Sequence, residues 1–180
     1  RALVEAGQRG IVHRDLKPSN VVLLQDGVRP VLVDFGLTKV TDEGESPTKL
    51  TAVGRMQGTP GYWAPEQIEG DPTRLGPHTD VYGLGAILYA CLTGRPPCEG
   101  DSMLDVVRAT VSVVPAAPSQ VCPGLSPDLD TIALRCLEKD PADRYSSISE
   151  LSESLSRVAR GESLGERPFE DGGPDVPSGW

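Results

Sequence analysis

The apolar positions of the chain fall into a few separate patterns. Residues 1–9 read as the end of a helix, with Gly10 as its stop signal. A polar-rich stretch runs from Ile11 to Asn20. Two continuously apolar runs follow, Val21–Leu24 and Val31–Val33, with Gln25-Asp26-Gly27-Val28-Arg29-Pro30 as a turn between them. They predict a short hairpin buried on both faces. Residues 34–63 are rich in Thr, Gly and Pro and show no period. So long an aperiodic stretch is functional or disordered. It carries Thr38, Thr41, Ser46, Thr48, Thr51 and Thr59 as candidate modification sites.

From residue 64 the chain turns helical. Over 78–93 the apolar residues Val81, Tyr82, Leu84, Ile87, Leu88, Tyr89 and Leu92 cover nearly all sides of a helix, as in a buried central helix. Thr93-Gly94-Arg95-Pro96-Pro97 ends it. Asp101 is expected to cap a short helix to about 111, with Leu104, Val107 and Val111 at helical spacing. Residues 112–125 read as a Pro-rich loop. Ser126-Pro127 pairs an N-cap with Pro at the first helical position, and Leu129, Ile132, Ala133, Cys136 and Leu137 form the stripe behind it. Ser146 opens a last helix with Ile148, Leu151, Leu155 and Val158 on one face. After Arg160 the pattern stops, so 1–160 read as one folded unit and 161–180 as an acidic Gly/Pro-rich linker or tail. No internal repeat occurs.

Composition narrows the function classes. The 180 residues hold 17 Lys plus Arg against 26 Asp plus Glu, a net charge of −9. That balance argues against nucleic acid or an anionic membrane as partner, since both need a basic surface. Five acids and one base put −4 of it in residues 161–180. Hydrophobic residues make up 38% of the chain, which still fits a folded protein. Cys91, Cys98, Cys122 and Cys136 have neither zinc-site spacing nor a disulfide framework, which suggests a reduced, cytoplasmic setting. The longest apolar run, Val81–Leu92, is shorter than the ~20 residues of a membrane span. The chain opens Arg1-Ala2-Leu3 without Met and reads as an internal fragment.

Candidate chemistry gathers around the hairpin. If residue 24 faces 31, then residue 21 faces 34, and Asn20 and Asp34 lie side by side at the open end. Asp15 precedes Asn20 by five residues in a loop fixed by Pro18. A carboxylate and an amide oxygen, completed by water and phosphate, suit Mg²⁺. Lys17 adds a cation beside them, so the group suggests phosphate chemistry.

These residues also carry a resemblance. His13-Arg14-Asp15-Leu16-Lys17-Pro18-Ser19-Asn20 is similar to the protein-kinase catalytic loop H-R-D-L-x-x-x-N. Asp34-Phe35-Gly36 matches D-F-G and Ala64-Pro65-Glu66 matches A-P-E, in the family's order. Over roughly its first 160 residues the chain resembles the C-terminal lobe of a eukaryotic-like (Hanks-type) Ser/Thr protein kinase. Leu92–Pro97 with Gly100-Asp101 resembles bacterial members. The fold implied is a mainly α large lobe with a short β-hairpin at the catalytic cleft.

The activity implied is transfer of the ATP γ-phosphoryl group to Ser/Thr hydroxyls of protein substrates, with ATP and Mg²⁺ as cofactors. By resemblance, Asp15 accepts or orients the substrate proton, and Asn20 and Asp34 hold Mg²⁺. Lys17 stabilises the transferring group and binds ATP, and Thr59 in Gly58-Thr59-Pro60 marks the Ser/Thr branch. Arg14 implies control by activation-loop phosphorylation on, in order of preference, Thr51, then Thr48, then Ser46. Asp80 resembles the residue that anchors the catalytic-loop backbone, and Glu66 and Arg144 the pair tying A-P-E to the late helices. His13 and Phe35, followed by Gly36, resemble parts of an internal apolar spine. Trp63 reads as part of a peptide-facing surface, and His78 as a helix-start residue.

Departures exist too. Gly83 stands where the family often has Ser, and Cys98 where a larger apolar residue is common. No glycine-rich loop and no V-A-I-K strand occur, so the small lobe is absent and the fragment alone is expected to be nearly inactive. The alternative is a pseudokinase or large-lobe scaffold that binds proteins.

Overall fold

The computed structural model describes residues 2–24, 29–34 and 60–165. Seven α-helices and one hairpin appear among them. Helix α1 spans Ala2–Gln8, and Gly10 turns the chain at φ 72° after it. Strands β1 (Val21–Leu23) and β2 (Pro30–Leu32) pair antiparallel. Then come α2 (Pro65–Glu69), α3 (Pro77–Thr93), α4 (Met103–Ser112), α5 (Pro118–Val121), α6 (Pro127–Cys136) and α7 (Ile148–Ala159).

The hairpin corrects two expectations. Val21 pairs with Leu32 and Leu23 with Pro30, so the register lies two residues from the one that set 24 opposite 31. Pro30 is the cause: it opens β2 instead of ending the turn, at the first strand position where Pro is tolerated. Asn20 consequently meets Val33, whose N–H donates to the Asn20 carbonyl at 2.9 Å. The hairpin is also not buried on both faces. Val22, Leu23, Leu24 and Val31 are each 40–62% exposed among the described residues.

Helix α3 is the axis of the molecule. Val81 packs with Ile132 and Cys136 of α6, with Tyr145, with Ile148 and Leu151 of α7, and with Leu164. Leu3 and Val4 of α1 close that cluster. On another side of α3, Tyr82, Ala86 and Tyr89 meet Ala64 and Leu137. Burial on two sides explains why the apolar residues of this helix follow no single stripe. Gly85 permits the close approach of α6, since a Cβ there would collide with Cys136. Gly83 plays the same part toward Leu16 of the loop 11–20, which an added Cβ would meet at 2.8 Å. Gly in place of Ser at 83 therefore lets the loop sit directly on α3.

The helix ends follow local chemistry. Gly76 precedes Pro77, and its N–H donates to Thr79 Oγ1 at 3.1 Å. Gly94 ends α3 at φ 76° with its N–H on the Ala90 carbonyl. Ser126 caps α6 as expected. The start of α4 differs, because Ser102, not Asp101, is the cap. Its Oγ accepts from Asp105 N–H at 3.2 Å, and its own N–H donates back to Asp105 Oδ2 at 3.1 Å. At α7 the cap is Ser147, one residue beyond Ser146, whose N–H and hydroxyl donate to Glu150. The Pro-rich stretch 112–125 contains α5, with Ser119 N–H donating to Asp130 at 2.8 Å.

Leu164 is 8% exposed and lies in the α3–α6–α7 cluster, so packing continues past the boundary expected after 160. Residues 166–180 of the expected tail lie outside the described residues. Trp63 is 3% exposed and packs with Ile68 and Val107, so it belongs to the core and not to a peptide-facing surface. All four cysteines are free thiols, and burial pushes those of Cys98 and Cys136 up. No helix among the described residues is long and apolar enough to cross a membrane.

Candidate active site

The site is built from the loop 11–20, the end of the hairpin, α2 and the first turn of α3. Asp80 in that first turn is 2% exposed. Its Oδ2 accepts from His13 N–H at 2.7 Å and its Oδ1 from Arg14 N–H at 2.8 Å. Burial raises its carboxyl above the usual range, and the two N–H donors counter only part of that. A buried carboxylate thus grips the loop backbone from beneath.

His13 is 1% exposed and bonds at both ring nitrogens. Nδ1 accepts from Asp15 N–H at 3.3 Å, which leaves Nε2–H facing the Val33 carbonyl at 3.4 Å. The ring therefore joins the loop to the strand end beside Asp34. Arg14 holds φ 64° and Asp34 φ 56°, left-handed conformations costly for residues with a side chain. Arg14 directly precedes Asp15 in the chain, and Asp34 follows Val33, whose N–H is bonded to the Asn20 carbonyl.

Among the described residues, Asp15 Oδ2 receives donors from Lys17 and Asn20. Lys17 Nζ lies 2.7 Å from it and Asn20 Nδ2 3.3 Å. Asn20 Nδ2 also donates to the Asp15 carbonyl at 2.8 Å, which turns Asn20 Oδ1 away from Asp15. Asn20 itself is buried at 5%. Asp34 is exposed at the hairpin end. Asp15, Lys17 and Asn20 are thus brought together. Thr59, Phe35, Gly36, Thr48 and Thr51, with Thr38, Thr41 and Ser46, lie outside the described residues.

A second polar centre lies below α2. Arg144 Nη1 and Nη2 each reach Glu66 at 2.8 Å, and both side chains are fully buried. Thr79 Oγ1 donates to Glu66 Oε1 at 3.0 Å. Burial alone would raise the Glu66 carboxyl, but the Arg144 hydrogen bonds and charge outweigh it and the net shift is downward. Arg144 also donates to the carbonyls of Glu138, His78 and Lys139, and lies 4.9 Å from the centre of the Tyr82 ring.

Three participants are not evident in the motifs: Thr79, Tyr82 and Gln67. Gln67 Nε2 donates to the Arg14 carbonyl at 2.7 Å, and its Oε1 accepts from Ala64 N–H at 3.1 Å. The available signal is half a capping box, Gln at the third helical position with Ala where Ser or Thr would complete it.

A family model described as the protein kinase domain matches residues 2–155. The chain belongs to the protein kinase family. Members of this family use ATP and Mg²⁺. The kinase chain is 45% identical over 163 residues to serine/threonine-protein kinase PkaA of Streptomyces coelicolor, covering 89% of this chain and 28% of that protein. It is 41% identical over 163 residues to serine/threonine-protein kinase PknB of Mycobacterium tuberculosis, covering 90% of this chain and 25% of the relative. The PknB of Mycolicibacterium smegmatis is 38% identical over 163 residues. These relatives agree with the bacterial Ser/Thr branch suggested by the sequence. The kinase chain spans about a quarter of the length of the curated relatives it matches.

Proposed function

We propose that the protein carrying this chain transfers the γ-phosphoryl group of ATP to Ser or Thr hydroxyls of protein substrates, with this chain as its large lobe. The observation that carries the reading is Asp15 Oδ2 held by Lys17 at 2.7 Å and Asn20 at 3.3 Å, on a loop gripped from below by Asp80. Asp15 orients the substrate hydroxyl and takes its proton as the oxygen bonds to phosphorus and the bond to the ADP oxygen breaks. Lys17 places a cation where the transferring group spreads its negative charge.

Asn20 Oδ1 and the Asp34 carboxylate are hard oxygen donors that fit Mg²⁺, and these two residues would hold it. Bound there, Mg²⁺ neutralises charge on the ATP phosphates. Arg14 is exposed and would pair with a phosphate on Thr51 or Thr48, and Thr59 would stand with Lys17 toward the Ser/Thr hydroxyl.

The exposed apolar residues Val22, Leu23, Leu24 and Val31 support a small lobe in cis that covers the hairpin. A pseudokinase scaffold would need no such Asp15–Lys17–Asn20 grouping.

The test is phosphate transfer from labelled ATP to a Ser/Thr protein substrate by the full-length protein, with and without Asp15→Asn. Losing the base should lower the rate by about 10²–10⁴. Unchanged transfer by the variant would overturn the assignment.

A further inference from the structure

The peptide group joining Arg14 to Asp15 is planar and rigid, so it moves as one body. Both ends of that plane are held. Its oxygen, the Arg14 carbonyl, accepts from Gln67 Nε2 at 2.7 Å, and its N–H donates to His13 Nδ1 at 3.3 Å. Fixing this plane fixes the Asp15 N–Cα bond, the base from which its side chain departs. The residue before it is strained at φ 64°, and such a conformation persists only where its surroundings over-determine it. Asp80 supplies one constraint through the Arg14 N–H, and Gln67 supplies the other through the Arg14 carbonyl.

The amide of Gln67 can serve in one orientation only. Its oxygen faces the Ala64 N–H, so its nitrogen faces the Arg14 carbonyl, and a flip would set like against like at both ends. Gln67 is also well founded, because its neighbour Glu66 is locked to Arg144 across 78 residues of sequence. The Arg14 carbonyl lies near solvent, so water can replace the lost donor and stability changes little. Position is what would be lost. A ~20° rotation of the plane swings the Asp15 carboxylate by about 1 Å, and misplacement of that size costs on the order of 10²-fold in rate.

We propose that Gln67 is a positioning residue for Asp15, tying the start of α2 to the catalytic loop through the Arg14 carbonyl. This rests on the kinase reading above. The test exchanges the two halves of its amide in the full-length protein. Gln67→Glu keeps the acceptor for Ala64 and removes the donor to Arg14. Gln67→Lys keeps a donor for Arg14 and removes the acceptor for Ala64. Gln67→Glu should lower kcat ten- to hundredfold, leave the KM for ATP within twofold and speed hydrogen exchange at the Asp15 amide. Gln67→Lys should hold kcat within a fewfold of wild type.

Wild-type turnover and exchange in Gln67→Glu would overturn the proposal. So would equal losses in both variants that follow lowered unfolding midpoints, because Gln67 would then be only a helix cap. Should the wild type itself transfer no phosphate, the kinase reading fails, and the Asp15 exchange rates alone decide whether Gln67 holds the loop.

Discussion

Arg144 offers a sharp test of the buried polar centre. An arginine has five N–H donors, and the structure shows five bonds: two to Glu66 and one each to the carbonyls of Glu138, His78 and Lys139. Lysine keeps the charge but has three donors on a compact head. Arg144→Lys therefore loses at least two charge-assisted bonds, each worth about 1.5–3 kcal/mol when a partner stays buried. The expected loss is roughly 3–6 kcal/mol, a large part of the ~5–15 kcal/mol that holds a domain together. Urea unfolding of the full-length protein, followed by hydrogen exchange in α2 and α7, measures it. A loss below about 0.5 kcal/mol, the scale of an ordinary surface change, would refute the reasoning.

Arg144→Met adds a pH signature. In the wild type the Glu66 carboxyl lies below its ordinary 4.5, so its contribution is present above that value and lost as pH falls through the lower folded value. Without Arg144, burial dominates and the carboxyl rises above 4.5. The cost of the variant should then shrink as pH falls from neutrality toward 4.5, because the folded state takes up the proton first. A cost that stays constant over that interval would mean that Glu66 is not the stranded charge.

Two further outcomes are expected. Asp80→Asn keeps one acceptor but turns an amide N–H against either His13 or Arg14, so it should cost about 1.5–3 kcal/mol and speed exchange at those two amides, read by mass spectrometry. Gly85→Ala forces a Cβ into Cys136, so thermal unfolding should show a loss of about 1–3 kcal/mol, whereas Gly7→Ala, with open space around it, should be near neutral or stabilising.

Helices were legible in the sequence because their ends carry their own chemistry. Gly10, Gly94 and Ser126-Pro127 act where they stand in sequence. The ordering of His13–Asn20, Asp34 and Ala64–Glu66 pointed to the right family for a similar reason, since each motif is contiguous. What stayed hidden depends on non-local geometry or on a choice between neighbours. Pro30 is a turn former in sequence and a strand opener in the fold. Asp101 and Ser102 are both good caps, and only the reciprocal bond with Asp105 separates them. Trp63 looks like a surface aromatic until α4 lies over it. Gln67 acts 53 residues away on a carbonyl, and a backbone acceptor has no side-chain identity to recognise. Leu164 is a lone apolar residue among polar ones, and burial alone reveals it.

The clamps on residues 13–15 also bear on when order is imposed. His13 and Arg14 are held by Asp80, the Arg14 carbonyl by Gln67 and the Asp15 amide by His13, all within the lobe. Freezing three backbone residues costs about 1–2 kcal/mol each in entropy. On the proposed kinase reading, that cost falls on the folding of the lobe, once, and not on each encounter with substrate. The loop meets its partner already set, so interaction energy with substrate need not be diverted into arranging it.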